Sequence, residues 1–148
     1  MNMLRLAGPS DLDRILPMVE AFHALVNVSL LPEVRRDAVE TLISNKGLGC
    51  IYLIGPQQAP VGYMAITFGF SLEMGGKDAF VDELFIRERV RGKGLGSQVM
   101  ATLPQLMREH DLVAVHLEVS QENGPARALY RRAHFEPRDS YSLMTLRV

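Results

Sequence analysis

The sequence predicts an α+β fold: a mixed, mostly antiparallel sheet with one central parallel strand pair and helices on both faces. Three observations carry that prediction. Near the N-terminus, apolar residues recur at the spacing of a buried helix face. The middle of the chain instead runs in short apolar stretches, rich in β-branched and aromatic residues, between glycine and proline turns. Residues 79–120 then read strand, glycine-rich turn, helix, strand, a crossover that sets its two strands parallel.

Residues 3–6 alternate weakly as a first strand, closed by Gly8-Pro9. Ser10 and Asp13 have capping-box spacing, and Leu12, Ile15, Leu16, Val19 and Phe22 form the apolar stripe of the helix that follows. Pro17 lies inside this helix and is expected to kink it, because it removes a backbone donor. A second helix starts at Pro32, a residue suited to a first turn, with Val34, Ala38, Val39, Leu42 and Ile43 as its apolar face. Asn45-Lys46-Gly47 ends it. Strands follow over residues 50–54 and 61–72, the latter with Gly62 and Gly69 as bends or bulges. After Gly75-Gly76 comes a strand over 79–86, and then a basic turn, Arg91 to Gly96. That turn opens a helix with Leu95, Val99, Leu103 and Leu106 inward, interrupted by Pro104 and ending near His110-Asp111. A strand over 112–120, a helix over 125–133 and a closing strand over 142–148 complete the prediction.

Composition narrows the function. At 148 residues the chain fits one domain, 1–148. A net charge of −1, with 47% hydrophobic and 22% charged residues, is ordinary for a globular protein and points to no nucleic-acid or membrane partner. Cys50 is the only cysteine, so neither an internal disulfide nor a cysteine-rich zinc site is available. His23, His110, His116 and His134 lack metal-ligand spacing, so no metal is expected. No apolar run approaches the ~18 residues of a membrane span, and Met1-Asn2-Met3-Leu4-Arg5 is unlike a signal peptide. A cytoplasmic address is the resulting expectation.

The turn at Arg91 to Gly96 has the makings of an anion site. A helix N-terminus leaves unpaired N–H groups and a partial positive charge. Gly92, Gly94 and Gly96 let the backbone approach a ligand, while Arg91 and Lys93 add charged donors. A solvated basic turn is the plainer reading. The nucleoside triphosphate loop does not fit, since Gly96 precedes Ser97-Gln98 where that loop needs Lys-Ser/Thr. The dinucleotide fingerprint fits poorly as well, in glycine spacing and in position along the chain.

Arg91-Gly92-Lys93-Gly94-Leu95-Gly96 resembles the Arg/Gln-x-x-Gly-x-Gly/Ala loop of the GNAT superfamily of N-acetyltransferases. Asp82-Glu83-Leu84-Phe85-Ile86 resembles that family's fourth strand, and Asn123 with Tyr130 resembles its second signature. The order of elements agrees along nearly the whole chain. The resemblance implies acetyl-coenzyme A as cosubstrate, wedged where the fourth and fifth strands splay. Its pantetheine arm would lie on the backbone of Leu84, Phe85 and Ile86, and its pyrophosphate on the N–H groups of Gly92, Lys93, Gly94, Leu95, Gly96 and Ser97. Asn123 would bond pantetheine or order the loop.

The implied reaction is direct acetyl transfer to a primary amine. Tyr130 would donate a proton to the leaving thiolate, or else cap the core. The base is open between Glu118, which resembles the fifth-strand glutamate of the branch acetylating ribosomal-protein N-termini, Glu83, Asp82 and a water chain. Strand alternation puts Asp82 and Glu83 on opposite faces, so only one of them is expected in the cleft. One departure from the family stands out: His134 precedes Phe135 where glycine is usual, so His134 must take a left-handed conformation. The acceptor, a small-molecule or peptide amine, would be read by residues 22–31 and 68–77, which hold His23, Phe68, Phe70 and Glu73. A homodimer is left open. The alternatives are a non-catalytic acyl-coenzyme A-binding or regulatory module and a nucleotide-binding module.

Overall fold

A computed structural model describes residues 3–148; Met1 and Asn2, the start of the stretch compared above with a signal peptide, lie outside the described residues. The chain divides into two compact units, Met1–Glu118 and Val119–Val148.

The first unit holds a sheet in the order β1 (Leu4–Leu6), β2 (Gly49–Ile54), β3 (Gly62–Ser71), β4 (Gly76–Ile86), β5 (Ala114–Leu117). The first three pairings are antiparallel and β4 with β5 is parallel, giving the mixed sheet that the crossover predicted, although among the described residues the parallel pair lies at the edge of the sheet and not at its centre. Strand alternation then sorts the core. Ile51, Leu53, Tyr63, Ala65 and Phe85 face α1 (Leu12–Leu25) and α2 (Pro32–Ser44), where Ile15, Met18, Val19 and Val39 are buried against them. Tyr52 points the opposite way. Its hydroxyl hydrogen-bonds His110 Nε2 at 2.9 Å, at the end of α4 (Leu103–Glu109), so helices cover both faces.

Several local expectations need correction. The first helix is entered through a 3-10 turn at Pro9–Asp11, and Asp11, not Ser10, does the capping. Its carboxylate accepts the Gly8 N–H at 2.9 Å and both Arg5 terminal nitrogens at 3.0 Å, tying β1 to the helix entry. Of the five residues assigned to the apolar face of α2, only Val39 is buried. The helix after the basic turn is split: α3 (Leu95–Ala101) stops at Thr102, and Pro104 sits in the first turn of α4, where its missing donor costs nothing. Val99, Met100, Leu103 and Leu106 are its buried stripe. β5 is also shorter than predicted, four residues in place of nine.

In the second unit α5 (Gly124–Arg132) forms as expected, and His134 takes φ 71°. Residues 142–148 form no strand, although their sequence predicted one. Leu143, Met144, Leu146 and Val148 are exposed. Apolar alternation is a pattern suited to a strand, but the strand exists only when a neighbour supplies its hydrogen bonds.

Candidate active site

The sheet opens beside β4. β5 pairs with it from Asp78 to Val81 and no further, so residues 82–86 have no strand partner on that side among the described residues, while Glu83 to Ile86 stay paired with β3. Leu84, Phe85 and Ile86 lie on this free stretch, with the Phe85 side chain buried in the core. Arg91 folds back onto it. Its Nε donates to the Ile86 carbonyl at 2.7 Å, and its guanidinium lies 5.8 Å from the centre of the Phe85 ring. One of the two cations expected to meet a ligand is therefore also a strut between the turn and the strand.

The turn itself needs its glycines. Gly92 and Gly94 have φ of 77° and 79°, a left-handed conformation in which side chains are strained. Gly94 caps α3, and no side chain occupies the cap. The N–H groups of Leu95, Gly96 and Ser97 have no acceptor among the described residues, and Lys93 is exposed beside them. A row of open donors under a lysine suits a polyanion.

The acidic pair sits on a bulge. Ala65 pairs with Glu83 but its neighbour Ile66 pairs with Val81, which leaves Asp82 as an extra residue in β4. A bulge breaks the two-residue period. Asp82 and Glu83 consequently line the same cavity, against the expectation that they would face apart. This cavity of ≈ 690 Å³ lies between α1, α2 and the sheet.

The two carboxylates are held differently. Glu83 Oε2 meets His23 Nε2 at 2.7 Å and Glu83 Oε1 accepts the Tyr63 hydroxyl at 2.7 Å. Arg35 Nε donates to His23 Nδ1 at 3.1 Å. Since an arginine only donates, Nδ1 must carry the lone pair, and Nε2 therefore carries the proton that goes to Glu83. Glu83 thus accepts two fixed donors and keeps a lone pair on each oxygen. Burial and the neighbouring Glu83 charge push the Tyr63 hydroxyl pKa far up, so it stays a donor. Asp82 has no hydrogen-bond or ion-pair partner among the described residues. Although more than a third of it is accessible, desolvation by the cavity walls raises its pKa, with His23 opposing.

The other expected site residues lie elsewhere. Glu118 is exposed just past the end of β5 and does not line the cavity. Of the acceptor-rim residues, His23 and Phe68 line it, whereas Phe70 and Glu73 do not. In the second unit Asn123 Oδ1 accepts the Ala126 N–H at 3.2 Å and so caps α5. Tyr130 is half-buried with its ring 5.9 Å from that of Phe135, and burial raises its pKa. Sequence reasoning gave no role to Tyr63 or Arg35. Alternation could have put Tyr63 on the face of Ala65, but no local signal joins Arg35 to His23. It also missed the pair of His116 Nε2 and Asp78 Oδ2, 3.0 Å apart across β4 and β5. Cys50 is buried, and desolvation pushes its thiol up to about 11.

Comparison with known proteins agrees with this architecture. The model of the acetyltransferase (GNAT) family matches residues 19–135. An integron cassette protein from the mobile metagenome of Cole Harbour Salt Marsh is 30% identical with a TM-score of 0.84, over 97% of this chain and 90% of its own. A possible acetyltransferase from Clostridium difficile 630 is 20% identical with a TM-score of 0.84, over 98% and 96% of the two chains. The ribosomal-protein-alanine N-acetyltransferase of Brucella melitensis biovar Abortus 2308 is 15% identical with a TM-score of 0.74, over 98% of each chain. A search of curated proteins finds no significant match.

Proposed function

This chain belongs to the GNAT acetyltransferase family, and from that premise we propose that it moves an acetyl group from acetyl-coenzyme A directly to a primary amine. The observation that carries the proposal is the bulge in β4, which turns two carboxylates into one cavity beside a strand edge with no partner.

The coenzyme supplies the activated thioester; the chain supplies binding, charge and proton acceptance. The free edge of residues 82–86 offers backbone groups to an extended pantetheine arm, as to an added strand. The open N–H groups at the start of α3, with Lys93, suit its pyrophosphate, and Arg91 holds that turn to the strand. Glu83, fixed by His23 and Tyr63, anchors the substrate ammonium through its remaining lone pairs. Asp82 is the base. An unpartnered carboxyl with a raised pKa is better matched to taking a proton near neutral pH. The freed amine forms the new C–N bond as the C–S bond breaks, and a backbone N–H of β4 stabilises the oxyanion. Tyr130 keeps the role that the resemblance implies, returning a proton to the thiolate. Its raised pKa keeps it protonated at neutral pH.

Direct transfer is favoured over a covalent acyl-enzyme by the state of Cys50. A buried thiol with its pKa at about 11 provides almost no thiolate at neutral pH. The decisive experiment combines calorimetry of coenzyme A binding with thiol release from acetyl-coenzyme A in the presence of amines. Binding with amine-dependent thiol release is expected. Binding without release would assign a non-catalytic module, and no binding would sink the reading altogether.

A further inference from the structure

The cavity holding Asp82 and Glu83 also takes His23, Arg35 and Asp37 into its lining, and most of its remaining walls are apolar. Its walls come from Val19, Leu30, Val34, Ala38, Leu42 and Leu48, with Thr41, Thr67 and the β-sheet residues between them. Leu30, Val34 and Leu48 are exposed, and beside them the segment joining α1 to α2 exposes Val26, Val28 and Leu31 as well. Three carboxylates, Asp37, Asp82 and Glu83, line it against a single guanidinium, that of Arg35, whose Nε is committed to His23.

These features select against most amines. A free amino acid would set its carboxylate near Asp82 and Glu83, where like charges repel. A polyamine could place one ammonium at that pair and reach Asp37 with a second, but its remaining charge, like most hydroxyls of an aminoglycoside, would lie against the apolar wall of Leu30, Val34 and Leu42 and gain nothing from it. A single cationic head with an apolar body meets neither penalty, and every methylene laid on the wall is removed from water. The volume of ≈ 690 Å³ suits such a small molecule.

We propose that the acceptor is a monoamine with an apolar body, of the alkylamine or arylalkylamine class, its ammonium at Asp82 and Glu83 and its body on the wall of α2. The proposal rests on the acetyl-transfer reading and deepens it. Its test is designed to separate the two. Propyl-, pentyl- and heptylamine, 2-phenylethylamine, spermidine and an aminoglycoside are compared twice: by kcat/KM for thiol release, and by calorimetric binding without the coenzyme. Both should rise about fourfold per added methylene until the cavity is filled, the factor for burying one such group, with heptylamine more than tenfold above spermidine. Val34→Glu places a charge on the exposed part of the wall and should flatten the series while favouring spermidine. A flat series in binding, a preference for spermidine or the aminoglycoside, or no binding by any amine overturns the assignment. A rising series in binding with no thiol release upholds the monoamine site and overturns acetyl transfer. Thiol release with a flat series does the reverse.

Discussion

Asp82→Asn separates the base from the anchor. The substitution keeps size and one acceptor oxygen but abolishes proton uptake. Loss of a general base costs about 10²–10⁴ in rate, and that loss should fall on kcat at pH 7. An alkyl ammonium with a pKa near that of lysine, ~10.4, is free amine in about one molecule in 2,500 at pH 7 and in about one in ten at pH 9.4. Raising the pH thus supplies by mass action what the base no longer does, and the defect should shrink by an order of magnitude or more over that range. Stability should move the other way. Cavity walls raise the folded-state pKa of Asp82 above its unfolded value. Above the folded pKa the native state therefore carries a disfavoured charge, and the penalty vanishes below the unfolded pKa. Asn removes it, so the melting temperature should rise at pH 7 and match wild type near pH 3. Glu83→Gln should instead raise the amine KM more than it lowers kcat, because it weakens the anchor. Thiol-release kinetics from pH 6.5 to 9.5, with melting curves on the same samples, read all of this. Wild-type kcat in Asp82→Asn, or a pH-dependent kcat defect appearing in Glu118→Gln instead, would refute the assignment.

Tyr130→Phe should lower kcat about ten- to a thousandfold, near the span for loss of a general acid, and part of the activity should return with an acyl donor whose thiol has a lower pKa; equal defects with both donors would count against proton donation. Gly94→Val should damage coenzyme A binding more than Arg91→Ala, since valine is strained at φ 79° whereas Arg91 contributes a strut and a charge; calorimetry of both variants checks the order. Asp11→Asn should cost about 1.5–3 kcal/mol at pH 7, the value of a charged hydrogen bond. The Arg5 hydrogen bonds, chief among its contacts, hold the folded Asp11 pKa below its unfolded value. That stability is present above the unfolded pKa and lost as pH falls through the folded one, so the wild-type advantage should shrink steadily below the ordinary aspartate range in denaturant titrations.

What the sequence determined by itself is local. The turn from Arg91 to Gly96 was legible because glycine is the residue that accepts φ near 80°, and Gly92 and Gly94 both take it. His134 shows the same logic where glycine is missing. The parallel pair of β4 and β5 follows from the intervening helix, since a crossover returns a strand in the same direction. Tertiary structure decided the rest. Whether residues 142–148 become a strand depends on a neighbouring ladder, which alternation does not encode. The placing of Asp82 and Glu83 in one cavity depends on a register step against Ala65 and Ile66, residues of another strand. The tautomer of His23 is set by Arg35 and read out on Glu83, 60 residues away in sequence. Backbone dihedrals and periodicity are properties of a few adjacent residues, whereas registers, cavities and proton positions belong to pairs of segments that meet only once the chain has folded.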